Sequence, residues 1–92
     1  MSEQTLHELM QKGIAAAKAG NKKTARDLFE EVIALDKNHE KAWFWLASVV
    51  DTDEQRRVCL GNVLFLNPQN ERAKRLLDRL EAEAAEGKKK GP

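Results

Sequence analysis

Side chains able to act as nucleophile, general base or soft-metal ligand near neutral pH are few in this chain: two histidines, one cysteine and no tyrosine. His7 and His39 are far apart in the sequence, and His39 falls among charged and polar residues, Asp36-Lys37-Asn38-His39, which reads as a solvated turn. Cys59 has no histidine beside it and sits on an apolar stripe, the pattern of a buried and inert thiol. A single cysteine excludes an internal disulfide, and with two histidines it is too little for a structural zinc site. No glycine-rich phosphate loop and no HExxH helix is present. The expectation is therefore a protein that is not an enzyme and needs no cofactor or metal. Binding chemistry is better represented, by the adjacent Phe44 and Trp45 and by Arg72, Arg75 and Arg79 at three- and four-residue steps. Aromatic rings bury area and guanidinium groups hold carboxylates in bidentate pairs, so together they suit a peptide with apolar anchors and acidic flanks.

These residues need elements to position them. At 92 residues the chain makes one small domain, and a domain of this size buries only about 60% of its unfolded surface, so every apolar stripe needs a neighbour. From Thr5 to Ala19 the residues Leu6, Leu9, Met10, Gly13, Ile14, Ala16 and Ala17 recur at helical spacing, and Gly20-Asn21 ends that helix. A second helix spans Lys22 to Leu35, with Ala25, Leu28, Phe29, Val32, Ile33 and Leu35 on one side. Glu40 to Val50 is apolar almost all round and must be covered on more than one side. Asp51-Thr52-Asp53-Glu54 offers two candidate N-caps with carboxylates in the first turn of a fourth helix, Glu54 to Leu66, with Val58, Cys59, Leu60, Val63, Leu64 and Leu66 as its inner stripe. Asn67-Pro68 stops it. The fifth helix runs from about Asn70 to Glu86, with Ala73, Leu76, Leu77, Leu80 and Ala84 as its stripe. Nothing alternates with period two, so no strand is expected.

The helices repeat. Leu9, Trp43 and Lys74 occupy matching positions at separations of 34 and 31, and Leu35-Asp36-Lys37 matches Leu66-Asn67-Pro68 at 31. In this, the chain resembles the tetratricopeptide repeat (TPR) family. Gly13, Gly20, Ala25, Phe29 and Leu35-Asp36 carry the resemblance in the first unit, and Trp43, Leu46, Ala47, Leu60, Val63 and Leu66-Asn67-Pro68 in the second. It covers about Leu6 to Leu80. Three positions depart from the pattern: Lys12 stands where the family has leucine, Lys37 where it has the closing proline, and Arg56 where it has a small residue. The second unit is also about three residues short between its helices. The implied fold is all-α, with antiparallel helix pairs stacked as a short right-handed α-solenoid over residues 1–86. Repeat one would span about 6–39 and repeat two about 40–70, with a C-terminal capping helix at 71–86 and a flexible basic tail at 87–92. Small residues at Gly13 and Ala25 let paired helices approach closely, and Phe29 and Trp43 are expected to fill the wedge between pairs.

In this family the first helix of each pair lines a concave face. The matching positions are His7, Met10, Gln11, Ile14, Ala17 and Lys18, then Lys41, Phe44, Trp45 and Ser48, then Arg72, Arg75 and Arg79. The implied function is protein–protein interaction through a groove with an apolar floor and a basic edge. Some family members hold a chaperone's terminal carboxylate with lysines and asparagines; Met10, Ile14 and Trp45 stand at the corresponding positions, which argues against that clamp. The competing reading keeps Phe44 and Trp45 as internal packing and the arginines as solvated surface. Two other functions compete: a self-associating module that pairs through the aromatic face of the third helix, giving a homodimer, and an RNA-binding accessory. Net charge is +1 and the isoelectric point about 7.9, which speaks against nucleic acid. With no long apolar run, no membrane span is expected, and the cytoplasm is the expected location.

Overall fold

The computed structural model describes residues 3–89. Five helices follow one another: α1 (Glu3–Lys18), α2 (Lys22–Leu35), α3 (Glu40–Val49), α4 (Asp53–Leu66) and α5 (Glu71–Lys89), with no strand among the described residues. Each packs against its neighbours in the sequence, and α3 also touches α1. This serial packing gives an elongated body, 53 × 28 × 18 Å. No described helix is long and apolar enough to cross a membrane.

Local chemistry sets each helix end. Gly20 adopts φ +86°, a left-handed backbone natural to glycine. The Asn21 N–H then reaches back to the Ala16 carbonyl (2.9 Å) and the Gly20 N–H to that of Ala17 (3.1 Å), the two-bond closure of a Schellman motif. The turns from α2 to α3 and from α4 to α5 are built alike. Asp36 and Asn67 each end a helix in extended backbone and accept an N–H two residues on, from Asn38 and Gln69. His39 and Asn70 follow, each accepting the N–H three residues on, from Ala42 and Ala73. The same bonding thus recurs at a 31-residue interval, and His39, expected as a solvated turn residue, is instead the half-buried N-cap of α3 through Nδ1. Thr52 and Gln55 form a reciprocal capping box at the start of α4.

The three residues missing from the second unit come out of α3, not out of the turn. Residues 19–21 join α1 to α2 and residues 50–52 join α3 to α4, so the connections are equally long, while α3 has 10 residues against 16 in α1. Its C-terminal carbonyls are taken by arginines from two other helices. Arg56 donates to the carbonyls of Ala47 (2.9 Å) and Val50 (3.3 Å), and Arg26 to Val49 (3.5 Å). Each guanidinium is in turn paired with a carboxylate, Asp53 and Asp51 respectively. Arg56 thereby acts as a cap on α3 from outside that helix.

The core runs along the inner faces of all five helices, with Phe29, Val32, Leu60 and Val63 fully buried. An added Cβ on Gly13 would lie 2.5 Å from Cε1 of Phe29, so the glycine is what lets the ring seat on α1. Further expectations fail, and Leu35, expected on the inner side of α2, is 37% exposed at the end of that helix. Trp43 is not the core wedge: it is half-buried, and its indole N–H donates to the Lys37 carbonyl at 2.9 Å. Two residues along a helix are 200° apart, so only one of Trp43 and Trp45 can face α2, and it is Trp45 whose ring meets Phe29, at 6.2 Å between centroids. Val58 is 61% exposed, because it lies on the side of α4 away from Leu60. Finally, α5 continues past Glu86 to Lys89, so the expected tail begins in helix; its remaining part, residues 90–92, lies outside the described residues.

Candidate functional site

A cleft of about 680 Å³ opens along one side of the molecule. Its walls come from alternate helices: Ile14 and Lys18 of α1, Lys41, Phe44, Trp45 and Ser48 of α3, and Arg72 and Leu76 of α5, with Glu40 and Asn70 closing one end. None of the lining residues comes from α2 or α4.

Packing holds the aromatic floor. Trp45 leans on Phe29, a tilted ring contact worth about 0.5–1.5 kcal/mol beyond the area it buries. The Arg72 guanidinium lies over the Phe44 ring at 5.2 Å, which ties α5 to α3 across the cleft. At the closed end the Glu40 carboxylate accepts from the side-chain amides of Asn70 (2.7 Å) and Asn67 (3.1 Å). That bridge fixes the start of α3 against the start of α5. The Ser48 hydroxyl donates back to the Trp45 carbonyl at 2.6 Å and so remains local.

Charge is one-sided. Among the described residues only two ion pairs form, Arg26–Asp51 and Arg56–Asp53, and both lie outside the cleft. Lys18, Lys41 and Arg72 therefore face the opening without a carboxylate partner, while the one acid present, Glu40, is occupied by two amides. A smaller depression of about 230 Å³ continues along α5 between Arg72, Arg75, Leu76 and Arg79.

Seven of the residues expected to contact a partner thus share the cleft: Ile14, Lys18, Lys41, Phe44, Trp45, Ser48 and Arg72. Arg75 and Arg79 line the adjoining depression. Met10 is only 5% exposed and belongs to the core, because the turn of α1 that carries it is packed where the next turn opens. Gln11 is exposed but lines neither depression. Glu40, Asn70 and Leu76 were not expected. Leu76 was assigned to the inner stripe of α5; it sits 60° off the Ala73–Leu80 line and is 40% exposed at the cleft edge.

Among the described residues no group of three or more His, Cys, Asp or Glu side chains could hold a metal. Cys59 is buried, and desolvation raises its thiol from 9.0 to about 11; Glu30 adds to the shift and Arg56 opposes it. No protein-family model matches this chain, and no curated protein or solved structure matches it either.

Proposed function

We propose that this chain is a tetratricopeptide-like module that binds a protein partner without catalysis, its helix pairs forming a short right-handed stack. The partner's apolar side chain would enter the cleft over Phe44 and Trp45, and its acidic flank would lie against Lys18, Lys41 and Arg72. The observation that carries this reading is the alternation of the lining. Helices α1, α3 and α5 supply the cleft while α2 and α4 do not, as expected if the first helix of each pair faces a partner. The 31-residue recurrence of the turn bonding supports the same reading. A floor that is aromatic and a rim whose cations lack carboxylates give the cleft both halves of such recognition.

Labelled peptides test this. Each carries one leucine or phenylalanine flanked by aspartate and glutamate, and its control carries lysine in place of the acids. Fluorescence anisotropy should report binding of the acidic peptides only, with a loss of at least tenfold in Phe44→Ser and in Arg72→Ser. Equal binding of the lysine control, or binding unchanged in Phe44→Ser, overturns the reading. Retention on single-stranded RNA with no peptide binding would favour a nucleic-acid role instead.

A further inference from the structure

Among the described residues, the solvent face of α4 from Val58 onward stands apart in carrying no charge. Elsewhere the exposed positions of the helices carry charge: Glu8 and Lys12 on α1, Asp27, Glu30 and Glu31 on α2, Lys74, Asp78 and Glu81 on α5. From Val58 to Asn70 there is no charged residue at all. Within that stretch Phe65 is 84% exposed and Val58 61% exposed, the two most exposed large apolar side chains among the described residues. Seven residues apart, they lie on one side of α4, about 10 Å from each other. Between them is Gly61, and a Cβ there would meet nothing within 4 Å. Packing within the chain therefore gives no reason for glycine, which is unfavourable inside a helix relative to alanine. A close neighbour arriving from outside does.

We infer that this face is the contact surface of an antiparallel two-fold homodimer, α4 against α4 of a second copy. The pattern is self-complementary about the Gly61–Asn62 step. A two-fold axis there sets Phe65 of each copy on Val58 of the other, with the bare Gly61 backbone admitting the approach. Charge selects the same arrangement. Asp53, Glu54, Arg56 and Arg57 crowd the first half of α4 and none follows. Antiparallel pairing lays that charged half over the partner's uncharged half, whereas parallel pairing would stack Glu54 on Glu54 and Arg57 on Arg57. The face is only two helical turns long, so the dimer is a weak one that forms as concentration rises. This surface shares no lining residue with the cleft and does not depend on the peptide-binding reading. It also moves self-association away from the third helix, where Phe44 and Trp45 are engaged by Arg72 and Phe29.

Sedimentation equilibrium from micromolar to millimolar concentrations tests the inference. The wild type should pass from one chain toward two, while Phe65→Glu and Val58→Lys, which alter exposed side chains, should each stay at one chain with unchanged helical circular dichroism. Mixing the two variants should recover the dimer, because the antiparallel axis sets the new glutamate opposite the new lysine and leaves the second Phe65–Val58 contact intact. Gly61→Ala should melt higher than the wild type yet dimerise less. A wild type that is monomeric throughout overturns the second copy as occupant. A dimer that survives Phe65→Glu overturns this face as its seat, and a mixture that remains monomeric overturns the antiparallel pairing.

Discussion

The two helix pairs solve one problem by different chemistry. In the first, Phe29 presses on the bare backbone of Gly13, and Gly20 closes α1 with two backbone hydrogen bonds. In the second, Leu60 and Arg56 occupy the positions equivalent to Phe29 and Ala25, and α3 ends a turn early in extended backbone. Carbonyls that further helix would have used are met by Arg56 and Arg26. The first pair is thus held by shape and the second partly by polar reach. A helix can be shortened within a packed array when a long cationic side chain nearby takes over the orphaned acceptors.

The largest effect should come from attacking the shape-held pair. Phe29→Ala removes a fully buried ring and should cost about 3–5 kcal/mol in urea unfolding, with Gly13→Ala costing about 1–3 kcal/mol through the clash it creates. A Gly13→Ala protein as stable as the wild type would remove the distinction between the pairs. Next in size, Arg56→Met keeps the side-chain length but abandons two carbonyls, and should cost about 1–2 kcal/mol, against about 0–1 kcal/mol for Arg26→Met, whose carboxylate partner is exposed. Equal losses in the two would mean that Arg56 is an ordinary surface cation. A pH-dependent effect belongs to Cys59, beside Arg56 in the second pair. Its thiol titrates near 11 when folded and 9.0 when free. The unfolded chain therefore loses this proton first, and the contribution is fully present below pH 9.0, then lost as pH rises through about 11. Comparing wild type with Cys59→Ala in alkaline urea titrations isolates that loss, and the folded thiol should react with an alkylating reagent far more slowly than the unfolded one.

Helix positions were legible in the sequence because periodicity and capping are local. α2 begins and ends at the expected residues, and most of the cleft lining follows from which helix faces which side. What escaped depends on contacts between residues distant in the chain. Nothing near Glu40 announces that its carboxylate will bridge Asn67 and Asn70, 27 and 30 residues on. Trp43 and Trp45 are equally apolar, and only the approach of α2 decides which one reaches Phe29. Val58 looked internal because its neighbours are, yet one residue along a helix is a 100° rotation. An uncharged run is visible in the sequence, but the side from which it is seen is not.

Serial packing has a further consequence for the cleft. In a serial array each element is stabilised by the elements packed beside it, so a helix held mainly from one side has the least holding it. Here α5 packs chiefly against α4, and it carries Arg72 and Leu76 of the cleft wall. Amide exchange in α5 therefore reports on the site, and whatever fills the cleft also fastens that helix.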